Sequence, residues 1–140
     1  MCEAESAPSS DTRIYLTHCS AKKAMNTTSA VPPEALYTAK PTQRFIQRCK
    51  VMHVRWAIFS DLYGVWFPDI NHEWYEKDPD IVTELEFSVL LVDFDAKLRA
   101  YSEIYFYYNP GRFHPLYSRL LKESSLRGRI QRITHLWDIN

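Results

Sequence analysis

Three side chains in this sequence have the chemistry to move a proton or attack an electrophile: Asp61 in FSDLYG, His135 in ITHLW and Cys19 in THCSAKK. A carboxylate or an imidazole can serve as general acid or base. A thiol becomes a nucleophile when a neighbouring imidazole or a helix N-terminus lowers its pKa. Each also has a quieter use. Asp61 can hydrogen-bond its own turn, and a lone cysteine near a strand end is commonly a small buried hydrophobe.

A second group has the chemistry to hold a ligand. In NPGRFHP, Arg112, His114 and the free amides of a helix opening at Pro115 would make an anion site, with Asn109 beside them, because unpaired N–H groups and the helix dipole both favour negative charge. The competing reading is an ordinary Asn-Pro-Gly turn with His114 capping the helix. Ser20 and Lys23 follow Cys19, and Ser60, Tyr63 and Gly64 flank Asp61. Tyr63-Gly64 could let the backbone approach a ligand while the ring stacks on it, or Gly64 could merely supply a positive φ. Lys40, Arg44 and Arg48 recur on one helical face, as a basic stripe for nucleic acid would. His18, Cys19, His114 and His135 are types that zinc accepts, yet none has familiar ligand spacing, so no metal site is expected. No cofactor motif is read.

These residues need a scaffold, and the hydrophobic period supplies one. Arg13 to Thr17 is a short apolar run that predicts a strand. Pro41 can open a helix in which Phe45, Cys49 and Met52 recur at helical spacing. Trp56 to Phe59 predicts a second strand. Thr83-x-x-Glu86 is a capping-box pattern, followed by Phe87, Leu90, Leu91, Phe94, Leu98 and Tyr101 as one apolar stripe. Ile104 to Tyr108 predicts a third strand, Pro115 a further helix with Leu116, Leu120 and Leu121 inward, and Arg129 to Leu136 a last strand.

Strands alternating with helices imply parallel pairing through right-handed crossovers. The expected architecture is a three-layer α/β/α sandwich around a small, mostly parallel four-stranded sheet. Residues 1–11 read as a flexible tail and 12–140 as a single α/β domain. In such a sheet the loops after the strands gather at one edge, where ligands bind. All the candidate catalytic and anion-binding residues fall at those strand exits.

Composition bounds the rest. A chain of 140 residues with 46% hydrophobic and 14% aromatic content can bury one core. No apolar run is long enough for a membrane span, and the acidic N-terminus lacks a signal-peptide core. Cys2, Cys19 and Cys49, odd in number and widely spaced, suit a reducing compartment, so a cytoplasmic location is expected. The formal net charge is +0. Basic residues nevertheless dominate 1–60 and 109–140 and acidic ones 69–103, which predicts one basic and one acidic face.

CSAKK at 19–23, LYTAKPTQRF at 36–45, WAIFSDLYGVWFPD at 56–69 and Tyr75 together resemble the DUF6884-type uncharacterised domains, whose pattern runs C-S-x-x-K, L-Y, W-x-I-L-S-A-x-Y-G-L and a tyrosine. The likeness covers the first half to two-thirds of the chain. Phe59 and Asp61 stand where that pattern has leucine and alanine, in the manner of an archaeal-style branch. The group is distantly similar to the peroxide-stress YaaA proteins and to a domain of archaeosine synthase, whose arrangement has been likened to uracil-DNA glycosylase. The resemblance implies a nucleobase-related or nucleic-acid-related site formed by Cys19, Ser20, Lys23, Ser60, Tyr63 and Gly64.

Two classes of function follow. In one, a strand-end pocket binds or acts on a nucleobase, nucleotide or nucleic acid, with Asp61 or His135 as acid or base and Arg112 on phosphate. In the other, a non-catalytic module uses the Lys40, Arg44 and Arg48 face and exposed aromatic rings to bind nucleic acid or protein.

Overall fold

The computed structural model describes residues 12–25 and 29–140, so the expected tail, 1–11, lies outside the described residues. In chain order the elements are β1 (Arg13–His18), a one-turn α1 (Pro33–Leu36), α2 (Lys40–Val51), β2 (Trp56–Ser60), β3 (Gly64–Trp66), α3 (Glu84–Leu98), β4 (Glu103–Tyr107), α4 (Pro115–Glu123) and β5 (Ile130–Ile133). The expected β-α-β-α-β-α-β order is present, with one strand added.

The sheet has five strands in the order β3-β2-β1-β4-β5. β1, β2, β4 and β5 are parallel, in registers such as His18 beside Phe59 and Thr17 beside Tyr107. Every residue of β2 is buried, as are Ile14 to Thr17 of β1. Their unbroken apolar runs are what a sheet covered on both faces requires. α2 packs on one face, where Phe45 stacks with Tyr107, ring centroids 5.9 Å apart. α3 and α4 share the other, both meeting Phe59 edge-on through Phe94 and Tyr117. The architecture is therefore the α/β/α sandwich.

The four-strand expectation is corrected by β3, a short edge strand running antiparallel to β2 with Gly64 opposite Ser60. Three residues are too few for a readable alternation, and from sequence Gly64 reads equally as a turn residue. Its φ is +75°, and a Cβ there would lie 2.1 Å from Asp93 Oδ2. That closeness is used: Asp93 Oδ2 accepts from Val65 N–H at 2.8 Å, and Lys97 Nζ donates to Val65 C=O at 2.9 Å. Asp93 and Lys97 are themselves an i, i+4 ion pair at 2.9 Å. Two α3 side chains thus occupy the outward backbone groups of the edge strand, one of the ways a sheet edge is blunted.

α3 starts where its capping box predicts. Thr83 Oγ1 accepts from Glu86 N–H at 3.1 Å and Glu86 Oε1 accepts from Thr83 N–H at 2.9 Å. Phe87, Leu90, Phe94 and Leu98 are buried, whereas Leu91 and Tyr101 are half-buried at the margin. Among the described residues no helix is long and apolar enough to cross a membrane.

From β1 the chain moves outward to β2, then crosses back to β4 on the other side. β1 and β4 are therefore neighbours whose onward connections leave in opposite directions, and the loops part between them. The site lies at that parting.

Candidate functional site

At the carboxyl ends of β1 and β4 a cavity of about 500 Å³ opens between the N-terminal ends of α2 and α4. Its volume is in the range of small-molecule sites, which run roughly 300–1,000 Å³. Of the residues singled out from the sequence, Cys19, Ser20, Asp61, Asn109, Arg112, His114 and Arg44 line it. Residues from four separate stretches of chain meet there, because the sheet brings their strand exits to one edge.

Asp61 follows β2 directly and is 3% exposed. Its Oδ1 atom is buried with no hydrogen-bond partner among the described residues. Burial raises its pKa above the ordinary carboxylate value, partly offset by the Lys23 charge and by hydrogen bonding from Tyr75 and Cys19. A buried carboxylate oxygen without a donor is costly and uncommon, and this one borders an open cavity.

Around it the polar groups are neutral and held. Burial, then the charge of Asp61, pushes the Cys19 thiol up to about 11. Its Sγ lies 3.3 Å from Tyr117 Oη, so Cys19 is a protonated packing partner at neutral pH and lacks the lowered pKa that nucleophilic attack requires. His18 Nδ1 donates to Cys19 C=O at 2.9 Å. With burial also lowering its pKa, the ring is a neutral imidazole whose Nε2 is left as an acceptor. His18, absent from the sequence-derived site, was signalled by its place at a strand exit.

The opposite rim is basic. Arg112 ends a short 3₁₀ turn, Pro110–Arg112, after β4, and Arg44 stands on the first turns of α2. Among the described residues neither guanidinium has an ion-pair or hydrogen-bond partner. The N-cap of α2, Ala39, supplies no side-chain hydrogen bond, so the first amides of a twelve-residue helix are uncapped toward the cavity.

The α4 end differs. His114 Nδ1 accepts from Leu116 N–H at 3.0 Å, and its Nε2 donates to Asp80 Oδ1 at 2.7 Å. Both nitrogens are used, so the capping reading holds and His114 forms wall. Asn109 Oδ1 likewise accepts from Gly111 N–H at 2.9 Å, which closes the turn and leaves the amide nitrogen for the cavity.

Other candidates are placed elsewhere. Ser60 is buried beneath its turn, accepting from Leu62 and Tyr63 N–H and sharing a hydrogen bond with Tyr75; Tyr75 bonds in turn to Tyr37. Tyr63 stacks on His72 with centroids 3.8 Å apart, and Gly64 belongs to β3. Lys23 lies over the Tyr75 ring, 4.6 Å from its centroid, behind Asp61. His135 is exposed and stacks on Trp137. β5 ends at Ile133, short of the expected Leu136, and that shift carries His135 off the rim while Leu136 reaches it.

The basic stripe is divided. Lys40 is exposed and Arg44 reaches the cavity, while Arg48 Nε donates to Ile139 C=O at 2.9 Å and pins the C-terminal turn. Tyr117, a further wall residue the sequence reading passed over, was legible: Tyr117, Leu120, Leu121 and Ser124 follow helical spacing and all are buried. Among the described residues no three His, Cys, Asp or Glu side chains cluster to hold a metal ion.

Comparison with protein-family models, curated proteins and solved structures yields no match for this chain.

Proposed function

We propose that the strand-end cavity binds a nucleotide, with the base toward Asp61 and His18 and the phosphate toward Arg44, Arg112 and the uncapped start of α2. The observation that carries this reading is the pairing of opposite needs within one cavity. A buried carboxylate oxygen lacks a donor, and two arginines across the rim lack an anion.

The spacing suits such a molecule. Asp61 leaves β2 and Arg112 follows β4, with β1 between them. Two interstrand steps separate the ends of β2 and β4 by about 10 Å, roughly the reach from a base edge to its 5′-phosphate. A base offers N–H donors to Asp61 and a π-face to the tyrosines of the wall, the terms by which unstacked bases are held. Asp61 is also the group able to accept a proton from a bound base, since its raised pKa brings it nearer the working pH of a general base.

A thermal-shift series with nucleobases, nucleosides, nucleoside monophosphates and short oligonucleotides tests the reading, because a ligand that binds only the native state raises Tm by mass action. Monophosphates stabilise more than nucleosides, and Arg112→Ala abolishes that difference. A phosphate contribution that survives Arg112→Ala and Arg44→Ala, or no shift with any member, overturns it. Stabilisation by oligonucleotides alone, falling steeply with salt, would favour a nucleic-acid-binding surface instead.

A further inference from the structure

The two ends of the strand-end cavity differ in hydrogen-bonding sign. Arg44, Arg112 and the Asn109 amide nitrogen offer donors at the rim. Toward the sheet stand two acceptors: Asp61 Oδ1, buried without a partner among the described residues, and His18 Nε2, left over once Nδ1 donates to Cys19 C=O. Their neighbours in the wall spend their hydrogens within the protein. Thr17 Oγ1 donates to Tyr107 C=O at 2.8 Å, and Cys19 Sγ and Tyr117 Oη share a hydrogen bond at 3.3 Å.

A buried acceptor costs free energy until something supplies a donor. Burial opposes ionisation of Asp61, while the Lys23 charge and hydrogen bonding from Tyr75 and Cys19 favour it. An N–H delivered to Oδ1 adds to the second side and keeps the group an acceptor. His18 is neutral because burial lowers its pKa from 6.5, so Nε2 keeps its lone pair.

Bases divide on this point. The exocyclic amino group of adenine or cytosine carries N–H donors, whereas the carbonyl that replaces it in hypoxanthine or uracil is an acceptor. The amino group answers acceptors of the kind this wall presents; the carbonyl sets lone pair against lone pair. We infer that the site selects adenine or cytosine nucleotides over their oxo counterparts, with Asp61 as the principal specificity residue and His18 as the second acceptor; this rests on the nucleotide assignment of the cavity. A site built to hydrogen-bond a donor rejects the analogue that lacks it far more strongly than an apolar pocket rejects a missing methylene.

Titration calorimetry of the full chain with adenosine, inosine, cytidine and uridine monophosphates tests the selection, because the members of each pair differ by one amino-for-oxo exchange. The amino member is expected to bind at least about tenfold more tightly than its oxo partner. Asp61→Asn, whose amide presents a donor as well as an acceptor, levels the pair. His18→Phe keeps a ring against Tyr117 and removes the acceptor, so it lowers the ratio without changing the oxo affinity. Equal affinities within every pair that binds, or a preference for inosine or uridine, overturn the base selection and leave the nucleotide assignment in place. A preference that Asp61→Asn does not alter overturns it equally. Binding by none of the four overturns both.

Discussion

The imidazole of His18 lies flat against the ring of Tyr117, centroids 4.9 Å apart and 15° from parallel. With Nδ1 committed to the Cys19 carbonyl, the ring has a fixed plane and a fixed tautomer. A neutral acceptor is thereby held in the wall of the cavity that Asp61 also borders.

His18 should make the fold acid-sensitive. Its folded pKa is lowered from 6.5, first by burial, so below pH 6.5 the unfolded chain binds more protons than the native one. The stability from this group is whole above 6.5 and declines as pH falls from there toward the folded value. Measuring Tm from pH 7.5 downward shows a loss that is absent in His18→Gln; equal profiles for the two proteins would rule the account out.

Asp61 has the opposite sign. Burial raises its folded pKa above 3.8, so its contribution is complete below 3.8 and is lost as pH rises through the folded value. At pH 7 the buried carboxyl is therefore a net cost. Asp61→Asn is expected to stabilise the protein by about 1 kcal/mol while weakening nucleotide binding at least tenfold, as function-bearing strain does. A melting scan and a titration calorimetry series check both halves.

Arg44 and Arg48, one helical turn apart, should separate cleanly. Arg44→Ala weakens binding of phosphate-bearing ligands with little change in Tm. Arg48→Ala leaves binding intact and costs about 1 kcal/mol, because the Ile139 carbonyl loses its donor. Similar effects from both would mean that the stripe works as one surface.

Gly64→Ala meets two obstacles, a left-handed backbone and the Asp93 carboxylate, and is expected to cost about 3 kcal/mol. In the Gly64→Ala/Asp93→Ala pair part of the clash disappears, so the double variant loses less than the sum of the singles. Additive losses in denaturant unfolding would show that the two residues do not interact.

Fold class was legible because the apolar periods are long: five α3 residues and two uninterrupted strand runs leave little choice of element. β3 was not, since three residues reveal no alternation and its partners, Asp93 and Lys97, lie a whole connection away in sequence. For the site, strand-exit position sufficed to bring Asp61, Arg112 and Asn109 to one cavity. It could not tell lining residues from those turned inward. Ser60 and Asp61 are adjacent, yet one is consumed by its own turn through the Leu62 and Tyr63 amides and the other faces the cavity. His135 shows the sensitivity of an exit to register: an earlier strand end moved it off the rim.

The paired side chains over Val65 have a consequence for how this sheet can grow. With the β3 margin occupied by Asp93 and Lys97, a foreign strand can join only beside β5. Joining two molecules there would produce a continuous sheet whose both outer margins are already stopped. Growth by strand addition therefore terminates at a pair, and the stacked ribbons of a cross-β fibre are denied their template.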